Sequence, residues 1–175
     1  MNKENHDGCD INILADSGSF RDPSGRVFKF SKNNNLRIIR GVTAQTFIEQ
    51  TQFLDSQLYT SLNKHKKIVE TKLFDSSQIL DTETQKSWPH FLEHATVDLI
   101  TYPYEWSFGQ LKDAAILHLE VLQECLEHGW IVKDSTPYNI QFVNNKPLFI
   151  DTPSITKWES GSGWESYRQF CMMFL

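Results

Sequence analysis

Cysteine is scarce in this chain, with three residues among 175. Cys9, Cys125 and Cys171 are odd in number and widely spaced, so the sequence indicates neither a disulfide framework nor a zinc knuckle. We expect buried thiols and a reducing, cytoplasmic location.

Long apolar runs and an excess of basic charge are also missing. The N-terminus from Met1 to Asp10 lacks the basic-then-apolar order of a secretory signal, and no apolar run approaches the length of a membrane span. The formal net charge of -5 and the isoelectric point of about 5.6 disfavour a general nucleic-acid or membrane-surface role. The sequence therefore predicts a soluble protein with neither kind of partner.

Apolar residues, by contrast, suffice for a core, since 39% of the chain is hydrophobic and 13% is aromatic. A length of 175 residues favours one domain of two unequal lobes. No internal repeat is present.

Three oxygen-bearing side chains surround a predicted hairpin near the C-terminus. Asp134 and Asn139 flank a short loop, and Asp151 closes the apolar run Leu148 to Ile150. Two carboxylates and an amide suit Mg²⁺, which prefers oxygen ligands and keeps several waters beside bound phosphates. We predict a magnesium-phosphate site here, and the alternative is an ordinary hairpin with solvated polar residues.

A long helix is predicted before this site. Ser107 and Gln110 match a capping box, and Gly129 is placed to end the helix. The predicted buried stripe, at three- and four-residue steps, consists of Leu111, Ala115, Leu119, Leu122 and Leu126. His118 and His128 lie on or after this helix, where packing or the helix dipole explains them better than catalysis.

The hairpin is predicted from Ile140 to Ile150, because Asn144 and Asn145 tolerate the positive φ that a two-residue turn needs. A helix, an Asp-loop-Asn segment, a hairpin and a strand-terminal Asp follow one another in this order. This order resembles the catalytic segment of protein kinases and aminoglycoside-phosphotransferase-like enzymes.

The resemblance implies an α+β, protein-kinase-like fold, with a loosely ordered segment at 1–16, a small strand-rich N-lobe at 17–106 and the start of a helical C-lobe at 107–175. It also implies Mg²⁺ and ATP as cofactors. Asp134 would orient or deprotonate the acceptor hydroxyl, while Asn139 and Asp151 would bind the metal.

The chain departs from the kinase pattern on both sides of this site. Val132 and Lys133 stand where kinases have His and Arg, and Thr152-Pro153 follow the second acid in place of Phe-Gly. The metal positions are intact, so nucleotide binding without efficient transfer stays open.

Two strands are predicted in the N-lobe, Arg26 to Phe30 after a turn at 22–25 and then Leu36 to Arg40. Alternation places Leu36, Ile38 and Arg40 on one face. In the kinase-like arrangement Arg40 would take the place of the phosphate-pairing Lys. The alternative is an exposed arginine at the end of a strand.

One helix is predicted from an N-cap at Thr43 to about Leu62. On this helix Glu49 is either a cation partner for Arg40 or a solvated carboxylate. The segment 63–84 reads as strands and loops. Its lysines would attract an anionic partner or form a solvated face, and they are Lys64, Lys66 and Lys67.

A strand beginning at Leu99 is predicted to end in an aromatic turn, Tyr102 to Trp106. In a kinase-like fold this is the hinge that binds adenine, so Tyr102 and Tyr104 are predicted to contact the nucleotide. The alternative is aromatic core packing at a turn.

A second resemblance covers nearly the whole chain. The segments that carry it are 18–28 (GSFRDPSGRVF), 102–106 (YPYEW), 111–115 (LKDAA), 133–139 (KDSTPYN) and 167–171 (YRQFC). They resemble the N-terminal region of bacterial class I SAM-dependent methyltransferases. In such proteins the methyltransferase domain comes later, and Gly161 and Gly163 follow no convincing strand, so we do not expect SAM on this chain.

The last predicted helix begins with a capping box at Ser162 and Glu165, and its apolar stripe consists of Trp164, Tyr167, Cys171 and Phe174. Because this stripe stops at Leu175, we expect a fragment or a helix that packs against a partner, for which a methyltransferase domain is one candidate.

His90 and His94 are spaced to share a helical face as metal ligands, but no third ligand is evident. The leading hypothesis is a kinase-like phosphotransferase core that binds Mg-ATP. The alternative is a non-catalytic N-terminal module of a methyltransferase-like protein, and a plain interaction domain is a third class.

Overall fold

A computed structural model describes residues 11–19, 25–33, 35–79, 81–159 and 161–175. The described part is mixed α+β, with an antiparallel sheet and five α-helices. The described residues divide into two compact units, those within 1–44 and 72–96 and those within 45–71 and 97–175. Of the segment 1–16, for which we predict loose order, residues 1–10 lie outside the described residues and 11–15 form a strand.

The sheet of the first unit contains five strands in the order β1-β2-β3-β5-β4. These strands are β1 (Ile11–Ala15), β2 (Gly25–Lys32), β3 (Asn35–Val42), β4 (Thr71–Phe74) and β5 (His90–His94). The pairs β1–β2, β2–β3 and β3–β5 are antiparallel. The two predicted strands at 26–30 and 36–40 are confirmed, while the turn at 22–25 lies outside the described residues except for Gly25.

Aromatic rings fill the core on one face of this sheet. Its buried members are Phe28, Phe30, Ile39, Phe74, Ile79 and Phe91. Arg37 extends over this cluster, with its guanidinium 5.0 Å from the Phe30 ring and 5.1 Å from the Phe74 ring. Strand alternation places the neighbouring Arg40 on the opposite face.

The second unit contains the long helix α4 (Phe108–Glu127). The predicted capping box is confirmed, since Ser107 Oγ accepts from Gln110 N and Gln110 Oε1 accepts from Ser107 N. Gly129 has φ of 74° and follows the helix end as predicted.

The predicted buried stripe of α4 is confirmed at Leu122, with Leu111 and Ala115 partly buried against the core, and it is wrong at Leu119 and Leu126. The buried side chains are Ala114, Leu117, His118, Val121, Leu122 and Cys125, whereas Leu119 and Leu126 are exposed. Apolar residues occur on more than one face of this helix, so periodicity alone did not identify the face that packs. The core that it joins includes Phe53, Trp130, Phe149 and Phe170.

The single helix predicted to run to about Leu62 is two helices, α1 (Ala44–Leu54) and α2 (Gln57–Lys64). Ser56 separates them, because its side chain accepts from Tyr59 N at 3.1 Å and donates to Phe53 O at 2.6 Å. Ser56 is the N-cap of α2, and the apolar spacing alone does not distinguish this position from the interior of one longer helix.

The predicted hairpin is confirmed as β7 (Ile140–Val143) and β8 (Lys146–Phe149). Asn144 and Asn145 have φ of 51° and 62°, as a two-residue turn requires. A second strand pair, β6 (Trp130–Val132) with β9 (Ile155–Lys157), was not predicted. Each of these strands has only three residues.

Three other local predictions are corrected. Leu99 to Tyr102 are not a strand, and a 3-10 helix follows at Pro103–Glu105. His90 and His94 lie on strand β5 and not on a helix. Within the segment 63–84, a short helix α3 (Thr82–Ser87) begins after Asp81.

The last helix, α5 (Tyr167–Phe174), begins later than the predicted capping box. Ser162 Oγ donates to Glu159 O, so it does not cap this helix. Phe170 and Phe174 are buried, while Tyr167 of the predicted stripe is exposed. Within the described ranges, none of the helices combines the length and the apolar character that a membrane crossing requires.

A substitution at Gly41 tests how closely the first unit is packed. A Cβ at this position would lie 2.6 Å from Trp88 Cβ and 2.7 Å from Trp88 Cγ. We therefore expect Gly41→Ala to destabilise the protein by about 1–3 kcal/mol in urea denaturation, through overpacking.

Gly109 provides the matched control, because a Cβ there would meet only Ser107 Oγ at 3.9 Å. Gly109→Ala should be neutral or stabilising by up to about 1 kcal/mol. Equal stability of Gly41→Ala and the unmodified protein would contradict the close packing of Gly41 against Trp88.

Candidate functional site

The loop after β6 carries the first two residues of the predicted site. Asp134 lies in this loop, and Asn139 ends the 3-10 helix Pro137–Asn139 that leads into β7. Asn139 Nδ2 donates to the backbone oxygen of Asp134 at 3.0 Å. Asn139 O in turn accepts from Ile150 N at 2.8 Å, so the loop and the end of the hairpin are joined.

The carboxyl group of Asp134 is in an environment that disfavours its charge. Burial and, next, the charge of Asp151 raise its pKa, while hydrogen bonds involving Asn139, Thr136 and Gln169 lower it in part. Its Oδ1 atom is buried and has no hydrogen-bond partner among the described residues. A proton or a cation would relieve both the burial and the repulsion.

Asp151 follows strand β8 and begins the 3-10 helix Thr152–Ser154. Its backbone oxygen accepts from Ser154 N at 3.0 Å and from Ser154 Oγ at 2.8 Å. Its side chain is close enough for its charge to raise the pKa of Asp134. The fold therefore brings Asp134, Asn139 and Asp151 into one region of the second unit, while their catalytic and metal-binding roles stay predictions.

The donor set at this site consists of two carboxylates and one amide oxygen, which are hard ligands of the kind Mg²⁺ takes together with water and phosphate. Within the described ranges there is no group of three or more His, Cys, Asp or Glu residues placed to hold a metal ion.

A buried chain of hydrogen bonds passes through Ser135, the residue that follows Asp134. His118 Nε2 is 3.0 Å from Ser135 Oγ, which is 2.5 Å from Ser166 Oγ. Ser166 Oγ donates to Val132 O at 2.9 Å. Because the Ser166 proton is used there, Ser166 accepts from Ser135, and Ser135 accepts from His118 Nε2–H.

This order of donors requires a proton on Nε2 of His118, which the neutral Nε2–H tautomer provides. The ring is fully buried and contacts Phe149, Trp164, Phe170 and Phe174, and this burial favours the neutral form. Burial lowers the pKa of His118 to about 4. The sequence predicted a packing role for this histidine, but nothing in its position identified Ser135 or Ser166 as partners.

The aromatic segment before α4 is fixed by an amide side chain. Gln141, on β7, accepts from Thr101 N at 2.9 Å and donates to Thr101 O at 2.9 Å. Trp106 Nε1 donates to Thr101 Oγ1 at 2.9 Å and the Trp106 ring packs against the core.

The rings of Tyr102 and Tyr104 stack with centroids 5.5 Å apart, and their residues are 44% and 76% exposed. Of the two predicted alternatives, core packing therefore does not describe these tyrosines. The pKa of Tyr104 is raised by partial burial and then by Glu105, Tyr102 and Tyr138, so Tyr138 lies nearby. Their proposed contact with a nucleotide stays a prediction.

Arg40 belongs to the first unit and lies on β3. The neighbouring His94 on β5 is buried, and this burial, followed by the charge of Arg40, lowers the pKa of His94 to about 3. The predicted phosphate-binding role of Arg40 stays a prediction. Glu49, in the second unit, accepts from Gln45 Nε2 at 2.7 Å and from Thr156 Oγ1 at 3.0 Å.

Lys67 does not form a simple solvated face with Lys64 and Lys66. Its Nζ pairs with Glu120 at 2.8 Å and with Glu124 at 2.9 Å. Burial opposes its charge, but these two glutamates raise the pKa of Lys67 overall. Among the cysteines, Cys125 is a buried free thiol as expected, Cys171 is half-buried, and Cys9 lies outside the described residues.

Comparison with known proteins gives one informative similarity. No family model matches the chain. The chain is 38% identical over 159 residues to "Nodulation protein NoeA" of Rhizobium meliloti (strain 1021). The match covers 91% of this chain and 32% of NoeA, so the chain spans about one third of that protein's length. The expected similarity to a longer bacterial protein is confirmed, whereas this comparison lends no support to the kinase-like resemblance.

The depressed pKa of His118, about 4, makes stability depend on pH. In the folded state the imidazole stays neutral between about pH 6.5 and pH 4, but in the unfolded state it binds a proton there. We therefore expect the free energy of unfolding to fall as the pH falls through this window. His118 contributes at most about 1.4 kcal/mol per pH unit.

Replacing His118 by Gln keeps a donor for Ser135 and removes the titrating group. In urea denaturation at a series of pH values, His118→Gln should show a smaller loss of stability below about pH 6.5. His65→Gln, at an exposed position, should retain the original pH dependence. Identical slopes for His118→Gln and the unmodified chain would show that His118 is not the buried neutral histidine described above.

Proposed function

We propose that this chain is a non-catalytic N-terminal module of a methyltransferase-like protein related to NoeA, whose methyltransferase domain is not on this chain. The observation that carries the proposal is the unequal coverage of the match, 91% of this chain against 32% of NoeA. The remaining two thirds of such a protein would contain the catalytic domain, and this module would position it.

The described strands support this assignment of SAM to another part of the protein. A SAM-binding domain needs a strand that leads into a glycine-rich turn. Gly161 follows the three-residue strand β9, which pairs antiparallel with β6, and no helix begins directly after this glycine. SAM binding to this chain alone is therefore not part of the proposal.

The outer face of α5 is the surface proposed to meet the methyltransferase domain. Phe170 and Phe174 hold the helix to its own core. Tyr167 and Met172, which lie on the helix, are 61% and 73% exposed, respectively. Apolar residues exposed at the end of a short helix are typical of a surface that packs against a further part of the protein.

Association with a methyltransferase region tests this proposal. The probe is the part of NoeA that this chain does not match, produced separately and titrated into this chain by calorimetry. We expect binding, and we expect Met172→Glu to weaken it by at least about tenfold, because a charge would be placed in an apolar contact.

Ile116→Glu is the matched control, since Ile116 is also an exposed apolar residue but lies on α4. It should leave binding unchanged. The proposal fails if the unmodified chain does not bind the NoeA region. It also fails if SAM alone raises the melting temperature of this chain.

A second candidate function, a Mg²⁺-nucleotide site in a kinase-like arrangement, is favoured by one observation. The buried Oδ1 of Asp134 has no partner among the described residues, and the charge of Asp151 is close to it. Two carboxylates held near each other in this way are stabilised by a divalent cation.

In this second candidate the residues have the following roles. Asp134 would accept the proton of an acceptor hydroxyl or orient it, and Asn139 with Asp151 would hold Mg²⁺. The exposed rings of Tyr102 and Tyr104 would contact the base. Bound Mg²⁺ would neutralise charge on the phosphates of ATP.

The candidate magnesium site is tested by substitution of its two acids, Asp134 and Asp151. Because burial and the charge of Asp151 disfavour its ionised form, Asp134→Asn should raise the melting temperature of the metal-free protein at pH 7, on the order of a few degrees. Mg²⁺ with ATP should stabilise the unmodified protein and should not stabilise Asp151→Asn, because Asp151 would hold the metal.

Asp113→Asn is the matched control, since Asp113 is an exposed acid on α4. It should change neither the melting temperature nor the response to Mg²⁺. Equal responses of the unmodified protein and Asp151→Asn to Mg²⁺ with ATP would rule out the site, and ATP consumption that Asp134→Ala abolishes would favour an enzyme over a non-catalytic module.

A further inference from the structure

We infer that one side of α4 is a contact surface for a second copy of this chain, and that the two copies of α4 pair in opposite directions. The surface, here called the outer stripe, is a row of residues at alternating steps of four and three, Phe108, Lys112, Ala115, Leu119, Leu122 and Leu126. It is separate from the outer face of α5, to which the proposed function assigns the methyltransferase domain.

The apolar surface of α4 extends beyond the face that its own core covers. One face is buried in the core of the second unit, with Val121 fully covered. On the outer stripe, however, Leu119 and Leu126 are exposed, and Phe108 at its start is 83% exposed. A helix with a second apolar row at its surface is typical of one that packs against a further element.

The spacing of the outer stripe indicates that this further element is a helix. Steps of four and three residues average 3.5, so the row stays on one side of α4 and matches the seam along which two helices pair. The row from residue 108 to residue 126 is roughly 27 Å long at the rise of an α-helix. A strand, whose side chains alternate with a period of two, has no matching row.

The charges beside the outer stripe indicate which helix fits it. Lys112 is the single Lys or Arg of α4, and it forms no ion pair within the described residues. Glu127 lies next to Leu126 at the other end, where its exposed carboxylate accepts from Gln123 Nε2 at 3.0 Å. A partner helix therefore needs an acid opposite Lys112 and a cation opposite Glu127, and a reversed copy of α4 has both.

A two-fold axis between residues 119 and 120 brings these charges together. About this axis, Lys112 of each copy faces Glu127 of the other, so the dimer contains two such pairs. The two copies of Leu119 then pack beside the axis. In a parallel pair Lys112 would face Lys112, and the repulsion of like charges disfavours that arrangement.

Association of the full chain is measured by sedimentation velocity over a range of concentrations. We expect a dimer that dissociates on dilution. Leu119→Glu places one charge from each copy beside the axis and should be monomeric throughout, with circular dichroism to show that it is folded. Met172→Glu is the matched control, since it also adds a charge at an exposed apolar residue but lies on α5, and it should still dimerise.

Exchange of the charges tests the direction of pairing. Lys112→Glu and Glu127→Lys each turn both attractive pairs into repulsive ones, so each should raise the Kd of the dimer by about tenfold. The double variant Lys112→Glu/Glu127→Lys restores opposite charges in the antiparallel pair and should recover the original Kd. Lys146→Glu, at an exposed position on β8, should leave the Kd unchanged.

An unmodified chain that stays monomeric up to about 1 mM would overturn the inference. A dimer that Leu119→Glu leaves intact would also overturn it, as would single charge variants whose weaker association the double exchange does not restore. Binding of the NoeA region is measured separately, so failure of that binding and failure of the dimer are distinguishable.

Discussion

The second unit depends on the hydrogen bonds that converge on the carbonyl of Val132. His118, Ser135 and Ser166 form a chain with one allowed direction of donors, and the Trp164 indole donates to the same oxygen. Buried polar groups are costly unless each is satisfied. This chain therefore fixes α4, the loop after β6 and α5 relative to one another inside one unit, and it sets the place from which Asp134 projects.

Local features that are set by a few adjacent residues could be predicted from the sequence. The capping box of Ser107 with Gln110, the end of α4 at Gly129 and the turn at Asn144 and Asn145 each follow from the backbone preference of the residues themselves. The break at Ser56 was missed because a serine is compatible with both a helix interior and an N-cap. The pair β6–β9 joins short strands more than twenty residues apart, and local patterns do not specify such a pairing.

The candidate site likewise combines features that nearby residues determine with features that only tertiary packing determines. The spacing of Asp134, Asn139 and Asp151 around a hairpin was sufficient to place these residues in one region, because the hairpin returns the chain to its starting point. The hydrogen bond from Ser135 N to Gln169 Oε1 could not be predicted, since α5 reaches this loop only through tertiary packing. The sequence of α5 indicated an apolar stripe that included Tyr167, which the structure shows to be exposed.

The bonding of Thr101 to Gln141 bears on how this protein avoids aggregation. Both backbone groups of Thr101 are occupied by a single side-chain amide, as they would be by a neighbouring strand. An extended segment with apolar residues such as Leu99 and Ile100 exposed is otherwise a template for pairing with another chain. At Thr101 both the backbone N–H and the backbone oxygen bond the Gln141 side chain, so the pairing of this residue with another chain would have to displace that amide.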